Sequence, residues 1–266
     1  MKTILITGST DGIGKLTAIK LAKDGHQVFI HGRNSYKLET VISEIKEETG
    51  NNNIAGFIAD FSDIKQVKSM VKAVNQKLSK IDVLINNAGV FKSSVASTVN
   101  GLDIRYAVNY YAPYVLTLGV LPLLEKAQES RVVNLSSAAQ AAVTKGAVIG
   151  KVTVPVSEAY AQSKLALTMW SFYLAKTIKN PAIIAVNPGS LLNTNMVKEA
   201  YGHHWSSADK GASILYELAV SEEFKAVTGV YFDNDRGGFN KAHPDAYNSD
   251  KINDLIGLTN QIVDNI

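Results

Sequence analysis

Tyr160 and Lys164 stand four residues apart in the stretch YAQSK, and on a helix that spacing puts both side chains on one face. A phenol gives up its proton near pH 10, and an ammonium beside it favours the phenolate and pulls that value towards the working range, to an extent on the order of units. The pair is an acid–base device if a reacting group lies beside it. It is one turn of a solvated helix if none does. Spacing alone leaves both readings open, so the residues around the pair must decide.

The clearest neighbouring signal is at the start of the chain. A strand-like run, Thr3 to Thr7 (TILIT), leads into Thr7-Gly8-Ser9-Thr10-Asp11-Gly12-Ile13-Gly14. Helical spacing at Leu16, Ile19 and Ala22 follows, with Gly25 as its stop. Glycines in this context let the backbone turn sharply and approach a pyrophosphate, while the helix N-terminus offers N–H groups and positive dipole charge. The pattern is TGxxxGxG rather than GxGxxG, and the strand before it and helix after it carry the assignment. Gly8, Ser9, Thr10, Gly12, Ile13 and Gly14 are thus candidate dinucleotide-binding residues.

The second strand ends in His31-Gly32-Arg33-Asn34, with no carboxylate before Glu39. Sites for the unphosphorylated cofactor place Asp or Glu here, on the ribose hydroxyls. Arg33, with Asn34 beside it, instead offers a guanidinium fork suited to a 2′-phosphate. This favours NADP(H) over NAD(H). The bland alternative is a solvated arginine at a strand end.

Positioning these residues requires a scaffold, and the chain alternates short apolar runs with longer helical patterns. Strands are expected at Thr3–Thr7, Gln27–His31, Ile54–Ala59, Ile81–Ile85, Arg131–Leu135, Ala182–Val186 and Gly229–Phe232. Their continuous hydrophobicity is that of a parallel sheet covered on both faces. Strand–helix alternation with right-handed crossovers gives an α/β, Rossmann-like, doubly wound sheet of about seven strands flanked by helices on both faces. No linker, repeat or low-complexity segment divides it, so residues 1–266 read as a single domain. Apolar spacing at Ile252, Leu255, Ile256 and Ile262 predicts a closing helix over 250–266, packed on its own domain or on a neighbouring subunit.

Composition narrows the function. Of 266 residues, 46% are hydrophobic and 19% charged, which suits a packed core. There is no cysteine, which excludes disulfides, cysteine nucleophiles and thiolate metal sites. A net charge of +3 with scattered Lys and Arg does not suggest nucleic acid. The N-terminal apolar run is too short for a signal peptide, and Thr117, Gly119 and Pro122 interrupt the longest one, Val115–Leu124. The expectation is a cytoplasmic protein with no transmembrane segment.

TGSTDGIG, Asp60 after the third strand, Asn86-Asn87-Ala88-Gly89 after the fourth, NLSS (134–137) after the fifth, YAQSK, and Asn187-Pro188-Gly189 after the sixth occur in that order. With these motifs the chain resembles the short-chain dehydrogenase/reductase family over residues 2–232, with a retinol-dehydrogenase-like branch suggested for the substrate. All of them lie just beyond strand C-termini, where open α/β sheets bind ligands.

The resemblance implies roles. Tyr160 is the acid/base, Lys164 tunes it and holds the nicotinamide ribose, and Ser137 donates to the substrate oxygen, with Ser136 as the alternative. Asn109, in AVNYY, holds a water linking the lysine to solvent. Asp60, followed by Phe61, contacts the adenine, although capping of the helix beginning Ser62-Asp63 is a compatible reading. Asn87 ties neighbouring strands, and Ala88 and Gly89 lie against the nicotinamide ribose. Pro188 and Gly189 are cofactor-binding, and Thr194 caps the cofactor amide; Thr194 comes one place later than the family pattern, and Ser190 is a candidate to share its role. The family also suggests a homodimer or homotetramer through the helices carrying Asn109 and Tyr160.

Loops 138–159 and 190–207 are expected to line the substrate site. The first contains VTKGAVIGKVTVPVSEA, whose strand-forming residues suggest a lobe over the substrate. In the second, Met196, Tyr201 and Trp205 are candidate lining. His203-His204 is set aside as a metal site because adjacent side chains diverge and no carboxylate motif accompanies them. Asp233–Gly238 begins like a calcium loop, but its twelfth position is Pro244, so it reads as a turn; no metal is expected. The reading is an NADP(H)-dependent oxidoreductase for a medium-sized, rather apolar carbonyl or alcohol. The alternatives are an NAD(H)-dependent member, a dinucleotide-binding regulator without turnover, and epimerase or lyase chemistry on the same fold.

Overall fold

A computed structural model describes residues 1–266, the side chain of Tyr201 excepted. Strands and helices alternate: β1 (Thr3–Ile6), α1 (Gly12–Lys23), β2 (Gln27–Gly32), α2 (Ser35–Thr49), β3 (Ile54–Ile58), α3 (Ile64–Lys77) and β4 (Val83–Asn86). A short α4 (Ile104–Tyr106) runs through a π-turn (Ala107–Tyr111) into α5 (Ala112–Glu125). Then come β5 (Arg131–Leu135), α6 (Lys145–Val148), α7 (Val156–Thr177), β6 (Ala182–Asn187), α8 (Asn195–Tyr201) and α9 (Ala208–Val220). The chain closes with β7 (Val230–Asp233), β8 (Gly238–Asn240) and α10 (Ser249–Asp264).

Among the described residues the strands form one eight-stranded sheet in the order β3-β2-β1-β4-β5-β6-β7-β8. It is parallel from β3 to β7, and β8 adds antiparallel to β7. Alternate strand residues enter opposite layers. Leu5, Phe29, Leu84, Val132 and Ile183 pack with α3, α5, α7 and α10. Ile4, Ile6, Val28, Ile30, Val83 and Ile85 pack with α1, α2 and α9. Chain order reverses between β1 and β4, opening a crevice at their carboxyl ends.

Two expectations are refined. An eighth strand follows the turn at 233–238, pairing Phe239 with Phe232. Segment 138–159 contains no strand: it holds α6, and Val148 is fully buried while accepting from the Tyr111 hydroxyl at 2.9 Å. Both sheet edges lie elsewhere, in β3 and β8, so its β-branched residues have no partner strand. The closing helix α10 packs on its own chain, where Tyr110 bonds Thr259 (2.7 Å) and the Tyr114 hydroxyl donates to Asn260 (2.5 Å).

One run among the described residues, Ile104–Glu125, has the length and apolarity to cross a membrane, and most of it is buried. It is the core helix against α3, and Gly119 lets the two approach: a β-carbon there would lie 2.5 Å from Val71 Cγ1.

Candidate active site

The glycine loop fills the β1 side of the crevice. Gly8 has φ +61° and a β-carbon there would lie 2.6 Å from Ala88 Cα. At Gly14 it would lie 2.4 Å from Asn87 Nδ2. These two glycines therefore serve the packing of the loop on the β4 turn before they serve any ligand. Asn87 Nδ2 donates to the carbonyls of Thr7 and Gly8, both at 2.8 Å, and the Ala88 N–H donates to Thr7 Oγ1 at 3.0 Å. The two turns flanking the crevice are thereby one unit.

Asp11 caps α1 by accepting from the Gly12 N–H at 2.7 Å, and the Lys15 N–H makes the first helical bond, to Asp11 O. The N–H groups of Ile13 and Gly14 precede that bond and belong to the turn that receives anions. This cradle fits a pyrophosphate.

Several neighbouring candidates are also bonded within the protein. Ser9 is fully buried; its hydroxyl donates to Ile6 O (2.7 Å) and accepts from the His31 N–H (2.9 Å). Phe61 is buried, its ring stacked on His31 at 4.1 Å. Asp60 accepts from the Ser62 N–H, whereas the cap of α3 is Asp63, which accepts from the Lys65 N–H. Asn34 Oδ1 caps α2 at the Lys37 N–H, and Arg33 beside it is exposed. Thr10 packs on Gly32, whose β-carbon would lie 2.6 Å from Thr10 Cγ2.

The acid–base pair sits on the other side of the crevice. Tyr160 falls in the second turn of α7 and Lys164 one turn later. Lys164 Nζ donates to Leu135 O at 2.7 Å and stands 5.7 Å from the centre of the Tyr160 ring. It is buried, and desolvation lowers its pKa to about 8. The Tyr160 ring tilts against Phe91, with centres 4.8 Å apart.

Gly89 joins the two halves of the site. A β-carbon there would lie 3.4 Å from Asn109 Oδ1, 3.5 Å from Lys164 Nζ and 3.6 Å from Met196 Cε. The small residue therefore keeps a hollow between the lysine and the turn after β4.

The serine ambiguity resolves by direction. Ser136 is buried and bonds Thr168 Oγ1 at 2.7 Å. Ser137 is half-buried; its carbonyl accepts from the Tyr231 hydroxyl and Gln140 Nε2, both at 3.0 Å. Its Oγ accepts from the Ala139 N–H at 3.1 Å, a bond that leaves the hydroxyl proton to be donated.

Asn109 is buried and bonded at both ends of its amide. Its Oδ1 accepts from the Val90 N–H (2.8 Å), while Nδ2 donates to Val90 O and Ser163 Oγ, both at 3.0 Å. Ser163 in turn donates to Tyr160 O at 2.7 Å. With both ends of the amide bonded, the side chain braces the Val90 segment against the turn carrying Tyr160.

Beyond β6, Pro188 O accepts from Asn234 Nδ2 (2.8 Å) and Gly189 adopts φ +123°. The Ser190 N–H and hydroxyl donate to Asp235, at 2.9 and 2.5 Å. Thr194 caps α8 at the Val197 N–H, its methyl 3.6 Å from where a β-carbon on Gly12 would sit. Asn195 Nδ2 and Lys37 Nζ both donate to Asp11 Oδ2, at 2.8 and 3.0 Å, drawing α8 over the glycine loop. Of the proposed lining, Met196 reaches the crevice, Trp205 is exposed, and the Tyr201 side chain lies outside the described residues.

Residues that sequence reasoning missed are mostly braces. Buried Gln162, inside YAQSK, accepts through Oε1 from the Tyr106 hydroxyl (2.9 Å) and the Thr144 N–H (3.1 Å), seating the 138–159 segment. Asp235 anchors the turn after β6. His31 bridges the glycine loop and β3. A histidine closing an otherwise apolar strand was the one visible signal for the last.

Comparison with known proteins agrees with this geometry. Residues 2–204 match the family model described as short chain dehydrogenase. The chain is 30% identical over 253 residues to retinol dehydrogenase 12 of Mus musculus, covering 88% of this chain and 78% of that one. It is 30% identical over 259 residues to polyprenol dehydrogenase of Homo sapiens, covering 88% and 77%. Among solved structures, a short chain dehydrogenase from Shigella flexneri complexed with NADP superposes with a TM-score of 0.71 at 27% identity, covering 88% of this chain and 97% of that one.

Proposed function

The chain belongs to the short chain dehydrogenase family, and we propose that within it the protein is an NADP(H)-dependent oxidoreductase for a medium-sized, apolar carbonyl or alcohol. The observation that carries this reading is the convergence at Gly89 of Lys164, Asn109 and Met196, in the crevice whose other wall is the glycine loop. When bound, the nicotinamide would supply or accept a hydride.

The chain's own residues handle the proton. The Tyr160 hydroxyl gives it to the developing alkoxide in reduction, and takes it back in oxidation. Lys164, charged below about pH 8, steadies the phenolate this leaves, from 5.7 Å across the ring. The Ser137 hydroxyl donates to the same substrate oxygen and polarises the carbonyl.

Cofactor preference is argued from Arg33. It is exposed at the end of β2, where a carboxylate would otherwise meet the ribose hydroxyls, and its fork suits a 2′-phosphate. The NADP complex of the Shigella flexneri relative supports this. The names of the retinol and polyprenol dehydrogenase relatives support an apolar alcohol or its carbonyl, as do Phe91 against Tyr160 and Met196 over Gly89.

The test is NADPH oxidation and NADP⁺ reduction across a graded panel of carbonyls and alcohols. Activity is expected to rise with apolar chain length. Tyr160→Phe should lower turnover by at least about 100-fold, the scale of lost acid–base catalysis, while NADPH still binds. Turnover retained in that variant would remove the tyrosine from its role.

A further inference from the structure

We infer that His31 is a positioning residue for the dinucleotide, its neutral imidazole holding the phosphate-binding turn in place from beneath. The inference rests on the cofactor reading above and deepens it. Three geometric facts carry it.

The first is direction. The Gly8 N–H donates to His31 Nδ1 at 3.0 Å. A backbone N–H has only a proton to give, so Nδ1 must be the bare nitrogen. The proton is then on Nε2, which donates to Ala59 O at 3.0 Å. One tautomer satisfies both partners, and no charged form does, because a second ring proton would face the Gly8 N–H.

The second is what Gly8 does. It is the residue at which β1 breaks into the loop, at φ +61°, with Ala88 packed where a β-carbon would be. Its peptide plane sets the direction from which the following residues approach the pyrophosphate. Residue 31 holds that segment twice more through its neighbour: the Ser9 N–H donates to His31 O, and the His31 N–H to Ser9 Oγ, both at 2.9 Å.

The third is reach. The ring is 3% exposed and stacks on Phe61 at 4.1 Å, immediately after Asp60. It therefore couples the turn beneath the phosphates to the strand end where the adenine would rest. A group at this junction acts on cofactor affinity through the loop, without touching the cofactor.

The experiment uses the full chain as wild type, His31→Phe and His31→Asn. Phenylalanine keeps a ring to stack on Phe61 but offers Gly8 no acceptor. Asparagine returns an oxygen near the place of Nδ1. NADPH dissociation constants are read by nicotinamide fluorescence, with KM for NADPH and kcat at saturation alongside. In the ligand-free wild type, the protonation of each ring nitrogen is read by ¹⁵N NMR.

His31→Phe should weaken NADPH binding at least about tenfold, the equivalent of about 1.4 kcal/mol, with the loss in KM rather than in kcat. His31→Asn should recover most of it. The ligand-free wild type should show a bare Nδ1 and a protonated Nε2, a readout that needs no variant to fold. Equal NADPH affinity in wild type and His31→Phe, no recovery in His31→Asn, or a protonated Nδ1 would each overturn the inference. A wild type that binds no dinucleotide would instead overturn the functional reading, and the tautomer would still report on the clamp.

Discussion

The ammonium of Lys164 is held inside the protein, 2.7 Å from the Leu135 carbonyl, where desolvation brings its pKa down from 10.5 to about 8. In the unfolded chain it returns to about 10.4. Between these values the unfolded state binds more protons, so stability rises with pH across that window and is lost as pH falls to the folded value. Wild type should therefore gain on Lys164→Met by about 3 kcal/mol between pH 8 and 10.5, compared by urea unfolding of the two proteins at each pH. A flat difference would mean that the lysine is not desolvated. Residue types in this site were legible in the sequence, because a tyrosine and lysine one turn apart and a glycine-rich turn are local patterns. Their bonding partners were not. Ser9, Phe61 and Asn109 stand beside the crevice, yet each is bonded or packed to another part of the protein more than 20 residues away. Only tertiary contact decides that.

Secondary elements divide similarly. Seven strands show in the sequence because most are buried on both faces, which leaves apolar runs. β8 does not, since three residues, the first of them a glycine, carry no pattern. Helix α10 was legible from its apolar spacing, but not the face it would cover. Leu255 is 3% exposed in that seam, so Leu255→Ala should destabilise the protein by about 2–5 kcal/mol in urea. Asn253→Ala, on the exposed side of the same helix, should stay within about 0.5 kcal/mol. Equal effects would show that α10 contributes little to holding α7 and the π-turn.

For the whole molecule, the cofactor is expected to act as part of the fold. The crevice is where the chain reverses direction through its sheet, and its two walls come from segments nearly 80 residues apart. A ligand that bridges them stabilises the native state by about 2.7 kcal/mol when present at 100 times its dissociation constant. NADPH should therefore raise the thermal midpoint more than NADH does at equal concentration, and Arg33→Ala should erase the difference. Equal shifts for both cofactors in the wild type would remove Arg33 from cofactor choice.

The π-turn at Ala107–Tyr111 has a consequence for phase. Each residue of an α-helix advances about 100° around the axis, and a π-turn accommodates one residue more than the regular ladder holds. α4 and α5 are therefore out of step. Asn109 faces the Val90 segment while Tyr110 and Tyr114, on the same rod, face α10. Deleting a single residue here would restore a regular helix and swing one of those faces away from its partner. The segment's length, more than the identity of most of its residues, is what lets one helix hold the Val90 segment on one side and the closing helix on the other.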